Sequence, residues 1–143
     1  MTDELAPVVF DAYGTLFDPA ALAEPLDAAF PGRGGALAAA WRSTQLRHTW
    51  LRSLMGAWAD FDAITAGALS QVLADAGLVA PAGLAADLVA RYRTLPPYAD
   101  VGPGLTSLPS GQRLAILTNG RRATVEATVA TAGLADRIPV VLS

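Results

Sequence analysis

The sequence predicts an α/β fold in which a core with a parallel sheet carries an inserted α-helical cap domain. The apolar run PVVF at 7–10 has the length and the β-branched content of a buried strand, and RLAILTNG contains a second apolar run at 114–117. Between them, from Pro19 to about Tyr92, apolar residues recur at helical spacing. The strand pattern is therefore interrupted by helices and then resumes.

The inserted segment is predicted to hold four helices. The first is PAALAEPLDAAF, which ends at the turn PGRGG, and the second is ALAAAWRSTQLRHTWLRSLM at 36–55. Asp60 is a suitable N-cap for a third helix, which reaches Ala76 and stops at Gly77. Pro81 suits the first turn of a fourth helix.

After these helices the pattern returns to α/β. LPPYADVGPG at 95–104 is rich in proline and glycine and is predicted to be a linker. The second strand is followed by a helix over 121–132 that Gly133 closes, and IPVVLS at 138–143 begins a third strand. The predicted domains are a core at 1–15 and 96–143 and a cap at 16–95.

Composition narrows the classes of function. The 143 residues carry a net charge of −3 and a pI near 4.9, which argues against a nucleic-acid or anionic-membrane partner. The absence of cysteine excludes disulfides and thiolate chemistry, and all ten basic residues are arginine. No apolar run is long enough to span a membrane, and MTDELAP lacks the pattern of a signal peptide. We therefore expect a cytoplasmic protein without nucleic-acid or membrane partners.

Polar side chains follow both predicted strands at the points where the strands end. Asp11 comes directly after PVVF, and Thr118 and Asn119 come directly after LAIL. Because the carboxyl ends of parallel strands meet at one edge of a sheet, these groups are expected to share a site. Asp11, at the end of a buried strand, is expected to be poorly hydrated, which destabilises a carboxylate unless partners compensate it. Such a carboxylate is a candidate nucleophile.

Two further features support an anion-binding site. Thr15 lies beyond a glycine turn that could return its hydroxyl to Asp11, although threonine after glycine often only satisfies the turn. The amides after Asn119 open a helix, and a helix N-terminus stabilises an anion. The predicted site therefore accepts a negatively charged substrate and attacks it with an oxygen nucleophile.

Three stretches of the sequence resemble one known family. FDAYGTLFD resembles the first motif of the haloacid dehalogenase superfamily, and ILTNG resembles the second. WRSTQLRHTWLRSLMGAWADF is similar to the cap helices of the (S)-2-haloacid dehalogenases, the type II haloacid dehalogenases. The resemblance implies a Rossmann-like core with a helical cap. It also implies hydrolysis of short (S)-2-haloalkanoic acids to 2-hydroxy acids without a metal or another cofactor.

The resemblance also implies a role for each site residue. Asp11 would attack the halogen-bearing carbon and form an ester, which water then hydrolyses. Arg42 of the cap would receive the halide. Thr118 stands where the family usually has serine and would help the following amides bind the substrate carboxylate. The remaining implied residues are Asn119, which matches the family asparagine, Gly120 in the substrate-binding loop, and Tyr13, Leu46 and Phe61 around a small apolar pocket.

Tyr13 separates two subgroups of the superfamily on chemical grounds. Its phosphatases typically carry a second aspartate at this position, which protonates the leaving alcohol and helps to hold magnesium. Halide is a stable anion that needs no proton, so an aromatic residue favours dehalogenation. A phosphatase that uses Asp11 on phosphate esters is the alternative within enzymes.

The spacing of residues along the long cap helix bears on Arg42. At 100° per residue, Arg42, Leu46 and Thr49 share one stripe of the helix. The packing stripe is predicted to contain Leu37, Trp41, Leu51 and Met55. Arg42 is therefore predicted to lie outside the packing face. Without the resemblance, a solvated arginine would be the simpler interpretation. His48 is expected to have a packing or surface role.

Two motifs of the superfamily have no counterpart in the sequence. The third motif supplies a lysine and the fourth supplies acidic or polar residues, and both would lie beyond Ser143. We therefore expect the N-terminal portion of a dehalogenase, with a core incomplete at its C-terminus and with little or no activity alone. A third hypothesis is a non-catalytic remnant that associates through the tryptophan-bearing cap helices as a homodimer.

Overall fold

The computed structural model describes residues 5–143, which divide into two compact units. The sheet unit comprises the described residues up to Asp18 together with Arg93–Ser143, and the helical unit comprises Pro19–Tyr92. The sequence placed the two junctions at 15/16 and 95/96. The junctions in the structure lie a few residues inside the predicted cap.

The sheet unit contains a parallel sheet of three strands in the described residues. The strands are β1 (Val8–Phe10), β2 (Leu114–Leu117) and β3 (Val140–Leu142), in the order β1-β2-β3. The predicted α/β fold with a parallel sheet is confirmed. Since Phe10 pairs with Ile116, the residues that follow β1 and β2 leave the sheet at the same edge.

The two faces of this sheet differ in burial because alternate side chains of a strand point to opposite sides. One face is buried or half-buried and consists of Val8, Phe10, Leu114, Ile116 and Val141. The other face includes the exposed side chains of Val9, Leu117, Val140 and Leu142. The strands predicted to be buried are therefore buried on one face only, since the described residues cover only one side of the sheet.

The helical unit contains four α-helices and two short 3₁₀ turns. The helices are α1 (Ala23–Ala29), α2 (Gly34–Leu54), α3 (Phe61–Asp75) and α4 (Leu84–Ala90), and the turns are Pro19–Leu22 and Arg91–Thr94. Asp60 caps α3 as predicted, because its Oδ1 accepts a hydrogen bond from the Asp62 amide at 2.8 Å. Gly77, at φ 66°, follows the end of α3 where the sequence predicted the stop.

The packing face of α2 differs from the predicted stripe. Leu37 and Trp41 are buried, but Leu51 and Met55 are exposed. The reason lies in the pairing of the helices. Gln45 of α2 bonds to Thr65, which is only four residues into α3, so the last turns of α2 extend past the start of α3. The predicted packing stripe therefore matches the buried face only along the part of α2 that lies beside α3.

The fourth helix begins later than its proline suggested. Pro81 lies before α4 and accepts a hydrogen bond from the Leu84 amide at 3.1 Å through its carbonyl oxygen. Gly83, at φ 85°, then precedes the first helical residue in a left-handed conformation that glycine adopts without strain. The prediction that Pro81 starts the helix is wrong, because the glycine turn comes between them.

The predicted linker at 95–104 is also wrong in part, because helix α5 (Val101–Ser107) begins inside it. Pro103 lies in the first turn of α5, where no intrahelical amide bond is required of it. Val101 and Leu105 are both buried one turn apart. The last helix, α6 (Arg122–Thr131), follows β2 and ends before Gly133 at φ 70°, as predicted. Among the helices of residues 5–143, none is long and apolar enough to cross a bilayer.

Two adjacent glycines at the start of α2 provide a test of the packing between α1 and α2. A β-carbon at Gly34 would lie 2.6 Å from the Asp27 amide nitrogen and would also collide with the Ala23 carbonyl oxygen, whereas one at Gly35 would meet nothing within 4 Å. We expect Gly34→Ala to lower the free energy of unfolding by about 1–3 kcal/mol. Gly35→Ala should raise it by up to about 1 kcal/mol. Urea unfolding followed by circular dichroism measures both, and equal effects would contradict the close packing of α1 on α2.

Candidate active site

The loop after β1 places Asp11 and folds the chain back on itself. Gly14 has φ 97° and donates its amide to the Phe17 carbonyl oxygen at 2.8 Å, while the Leu16 amide donates to the Ala12 carbonyl oxygen at 2.9 Å. A side chain at position 14 would be strained at this φ. The turn therefore depends on the glycine of the motif.

This turn returns the Thr15 hydroxyl to the Asp11 carboxylate. Thr15 Oγ1 donates to Asp11 Oδ2 at 3.3 Å. Both residues are exposed, so the expectation of a poorly hydrated Asp11 is wrong. The reason is that β1 has three residues and one uncovered face, and Asp11 leaves the strand where water can reach it. The carboxylate is thus available to a substrate and is oriented by one hydroxyl.

The loop after β2 is held by hydrogen bonds that involve the backbone. Thr118 is buried, and its amide donates to the Leu142 carbonyl oxygen at 3.0 Å. The Gly120 amide donates to Thr118 Oγ1 at 3.0 Å, and Ser143 Oγ donates to the Gly120 carbonyl oxygen at 2.9 Å. Asn119 is exposed between them. The bond from Gly120 uses Thr118 Oγ1 as an acceptor, which leaves the hydroxyl proton available for an anion.

A close contact brings the two loops together. Tyr13 and Gly120 are both buried, and a β-carbon at position 120 would lie 2.8 Å from Tyr13 Cε2 and 3.3 Å from Thr118 Oγ1. The Tyr13 ring therefore lies against the Gly120 backbone. Six of the nine predicted residues lie on the loops after β1 and β2 and thus belong to one neighbourhood of the sheet unit: Asp11, Tyr13, Thr15, Thr118, Asn119 and Gly120.

This contact can be tested with a single methyl group. We expect Gly120→Ala to displace the Tyr13 ring and to lower the free energy of unfolding by about 1–3 kcal/mol. Gly102→Ala is the matched control. Gly102 lies in α5, and a β-carbon at this position would meet nothing within 4 Å. Thermal and urea unfolding of both variants measure the difference. An unchanged stability in Gly120→Ala would show that the loops are not packed as described.

The other three predicted residues belong to the helical unit. Arg42 and Leu46 are half-buried on α2, and Phe61 is buried at the first position of α3. Arg42 Nη1 donates to Gln45 Oε1 at 2.7 Å. The Phe61 ring contacts the Tyr92 ring edge-on, with centroids 6.5 Å apart. Arg42 and Phe61 are thus held by contacts within their own unit.

Sequence reasoning missed a buried polar cluster that includes a hydrogen-bond partner of Arg42. Gln45, Thr65 and Tyr92 are buried together, and Gln45 Nε2 donates to Thr65 Oγ1 at 2.6 Å. The available signal was a glutamine one turn after Trp41 on an apolar face, which a buried glutamine occupies only when it is hydrogen-bonded.

The start of α6 carries two arginines of differing surroundings. Arg122 Nε forms an ion pair with Glu126 Oε1 at 2.7 Å, and both side chains are largely exposed. Such an i,i+4 pair contributes only roughly a few tenths of a kcal/mol to helix stability. Arg121 is the N-cap residue and makes no side-chain capping bond. Within residues 5–143, no three His, Cys, Asp or Glu side chains are grouped so that they could hold a metal ion.

Comparison with known sequences identifies the family. A sequence model of the haloacid dehalogenase-like hydrolases matches residues 8–143. The chain is 44% identical to an (S)-2-haloacid dehalogenase of Xanthobacter autotrophicus over 136 residues, which are 95% of this chain and 53% of the relative. It is 40% identical to an (S)-2-haloacid dehalogenase of Pseudomonas sp. (strain YL) over 142 residues, 99% of this chain and 61% of the relative. The chain therefore spans little more than half the length of these relatives.

Comparison with solved structures agrees. The L-2-haloacid dehalogenase of Xanthobacter autotrophicus has a TM-score of 0.89 at 42% identity, over 97% of this chain and 56% of that chain. A structure of the Xanthobacter enzyme with chloropropionic acid covalently bound gives the same TM-score. From its sequence and from its fold, the chain belongs to the haloacid dehalogenase-like hydrolases.

Proposed function

We propose that this chain supplies the nucleophile for hydrolytic dehalogenation of short (S)-2-haloalkanoic acids. The observation that carries the proposal is the position of Asp11, exposed at the sheet edge and bonded to Thr15 at 3.3 Å. The contact of Tyr13 with Gly120 brings the anion-binding loop after β2 to the same neighbourhood. The names of the relatives and the covalently bound chloropropionic acid in one of them support the same chemistry.

The reaction proceeds in two displacements. A carboxylate oxygen of Asp11 attacks C2 of the substrate, the carbon–halogen bond breaks, and halide leaves with its electron pair and with inversion at C2. The product of this step is an ester between Asp11 and the 2-carbon. Water then attacks the carbonyl carbon of the ester, and the carboxylate of Asp11 is regenerated with one oxygen from water. The 2-hydroxy acid leaves with one proton of that water, and the second proton passes to solvent.

Each remaining residue has a proposed part in these steps. The Thr15 hydroxyl orients the attacking carboxylate. The Thr118 hydroxyl and the backbone of the loop after β2, which contains Asn119 and Gly120, hold the substrate carboxylate. Arg42 receives the departing halide, as the family resemblance implies. The proposed apolar lining of the substrate consists of Tyr13, Leu46 and Phe61.

A single-turnover experiment in heavy-oxygen water tests the proposal. Excess protein is mixed with (S)-2-chloropropionate in H₂¹⁸O, and one portion is quenched in acid before the reaction is complete. The mass of the peptide that contains Asp11 is then measured by mass spectrometry. Because little activity is expected of this chain alone, the single turnover is followed over hours. We expect one 1-carboxyethyl ester on that peptide in the quenched portion and one heavy oxygen after completion. (R)-2-Chloropropionate is the control and should give neither signal.

Two results would contradict the proposal. Product that forms without heavy oxygen in the Asp11 peptide would exclude the ester, and the absence of both ester and product would exclude this chain as the reacting species. Hydrolysis of p-nitrophenyl phosphate that depends on magnesium would favour the phosphatase alternative instead. Tyr13 argues against that alternative, since it occupies the position of the acid that a phosphatase needs.

We also propose that the chain associates with a second copy of itself. The support is a set of large apolar side chains that are 48–86% exposed at the end of α2 and in the following loop: Trp50, Leu51, Leu54, Met55 and Trp58. Sedimentation velocity of the wild type and of Trp58→Glu tests this, with a concentration-dependent dimer expected only for the wild type. A monomeric wild type at high concentration would contradict it.

The cytoplasmic location stays a prediction from the sequence.

A further inference from the structure

A buried polar cluster in the helical unit contacts the guanidinium of Arg42. Arg42 Nη1 donates to Gln45 Oε1 at 2.7 Å, and Gln45 Nε2 donates to Thr65 Oγ1 at 2.6 Å. The Tyr92 hydroxyl donates to Gln45 Oε1 at 3.4 Å. The side chain of Gln45 is fully buried and those of Thr65 and Tyr92 are nearly so. Since burying polar groups is costly unless they are hydrogen-bonded, this cluster requires an explanation.

The direction of each bond in the cluster is determined by Thr65. Its hydroxyl donates its one proton to the Phe61 carbonyl oxygen at 2.7 Å, so it can only accept from Gln45. The atom of Gln45 that faces Thr65 is therefore the amide nitrogen. The amide oxygen must point the other way, toward Arg42 and Tyr92, both of which are donors. The orientation of the Gln45 amide follows from this chain of bonds.

The surrounding side chains keep the cluster in place. Trp41 Nε1 donates to the Thr65 carbonyl oxygen at 2.8 Å, and the Trp41 ring contacts the Tyr92 ring edge-on, with centroids 5.8 Å apart. Burial raises the pKa of Tyr92, while the nearby Arg42 and the bond to Gln45 oppose that rise. Tyr92 therefore stays protonated at neutral pH and remains a donor to Gln45.

The choice of a neutral acceptor has a consequence for the charge of Arg42. A carboxylate at position 45 would hold the guanidinium equally well but would neutralise it, which weakens the attraction for an anion. The amide oxygen of Gln45 holds the guanidinium of Arg42 through a hydrogen bond. Because the amide is neutral, that bond does not neutralise the positive charge of Arg42.

We propose that Gln45 is a positioning residue that holds the Arg42 guanidinium in place for a halide without neutralising its charge, and that Thr65 and Tyr92 orient Gln45. This inference rests on the proposed function, in which Arg42 receives the departing halide. It adds three residues that act through Arg42 and do not touch the substrate themselves.

Nitrogen NMR of arginine side chains tests the positioning directly. Protein labelled with ¹⁵N-arginine gives guanidinium signals for its ten arginines, and the signal that Arg42→Lys removes is that of Arg42. We expect slow rotation of the Arg42 guanidinium in the wild type and at least about tenfold faster rotation in Gln45→Leu, which removes a hydrogen bond to a charged group. Gln71→Leu, on the exposed surface of α3, is the matched control and should not change the rotation.

Bromide titration, followed by the same signal, separates positioning from charge. Gln45→Leu should weaken bromide binding by about tenfold because the guanidinium is no longer held. Gln45→Glu should keep the rotation slow and yet weaken bromide binding by at least as much, because the charge is neutralised. Two further pairs do not depend on the folding of the Gln45 variants. Thr65→Ser keeps the hydroxyl and should behave like the wild-type protein. Thr65→Val and Tyr92→Phe each remove a hydroxyl, and both should speed the rotation of the Arg42 guanidinium.

The outcomes distinguish this inference from the function on which it rests. If bromide does not shift the Arg42 signal in the wild type, the proposed role of Arg42 in halide binding is wrong. If bromide binds but the rotation and the affinity are unchanged in Gln45→Leu, Thr65→Val and Tyr92→Phe, the positioning role is wrong and the proposed function stands. Equal bromide affinity in Gln45→Glu and the wild type would overturn the argument from charge.

Discussion

Asp11→Asn is expected to abolish both the covalent ester and the release of halide, with a loss of at least about a thousandfold in the rate of the first step. The amide has the same shape as the carboxylate, and its oxygen can still accept the bond from Thr15, which is 3.3 Å away in the wild type. What it lacks is a charged oxygen that can displace halide. Halide release from (S)-2-chloropropionate under single-turnover conditions and the mass of the Asp11 peptide measure the loss.

Asp136→Asn is the matched control for this experiment. Asp136 is an exposed carboxylate of the same sheet unit and lies outside the loops after β1 and β2. Its replacement makes the same change of charge and should leave the rate within a factor of about two. If Asp11→Asn retains the wild-type rate, another group is the nucleophile and the proposed function is wrong.

Trp41→Ala is expected to have the largest effect on stability among the tryptophan substitutions, about 3–5 kcal/mol. The side chain is 1% exposed, and its indole nitrogen donates to the Thr65 carbonyl oxygen at 2.8 Å. The substitution removes apolar contacts from the core of the helical unit and removes the indole donor from that carbonyl. Urea unfolding followed by far-ultraviolet circular dichroism measures the change.

Trp50→Ala is the control for that prediction, because Trp50 lies on the same helix and is 64% exposed. The chemical change is identical, yet the stability of the monomer should fall by less than about 1 kcal/mol. Equal losses at the two positions would contradict the burial pattern of α2. Both variants are compared at a protein concentration low enough to keep any association out of the measurement.

Much of the fold could be predicted from the sequence, since its elements depend on local chemistry. The apolar runs marked the strands, Asp60 marked the start of α3, and Gly77 and Gly133 marked the ends of α3 and α6. Each of these signals acts on the backbone within a few residues. The linker was misread because Pro103 looks like a helix breaker, although in the first turn of α5 it is tolerated.

The site was predictable only in part. The glycine turn of the first motif correctly indicated that Thr15 would return to Asp11, since Gly14 adopts a positive φ. The burial of Asp11 was predicted wrongly, because the exposure of a strand end depends on what covers the sheet. The contact between Tyr13 and Gly120 joins loops that are more than a hundred residues apart, and no local pattern reports it.

By itself the sequence determined which residues form the strands, where several helices start and stop, and which motif residues follow the strands. Only the tertiary structure decided which face of α2 is buried, that water reaches Asp11, and that Gln45 is bound by groups 20 and 47 positions away. The physical reason is the range of the interactions. Turn and cap chemistry acts between near neighbours in the chain, whereas burial and the direction of a side-chain hydrogen bond depend on segments that only folding brings together.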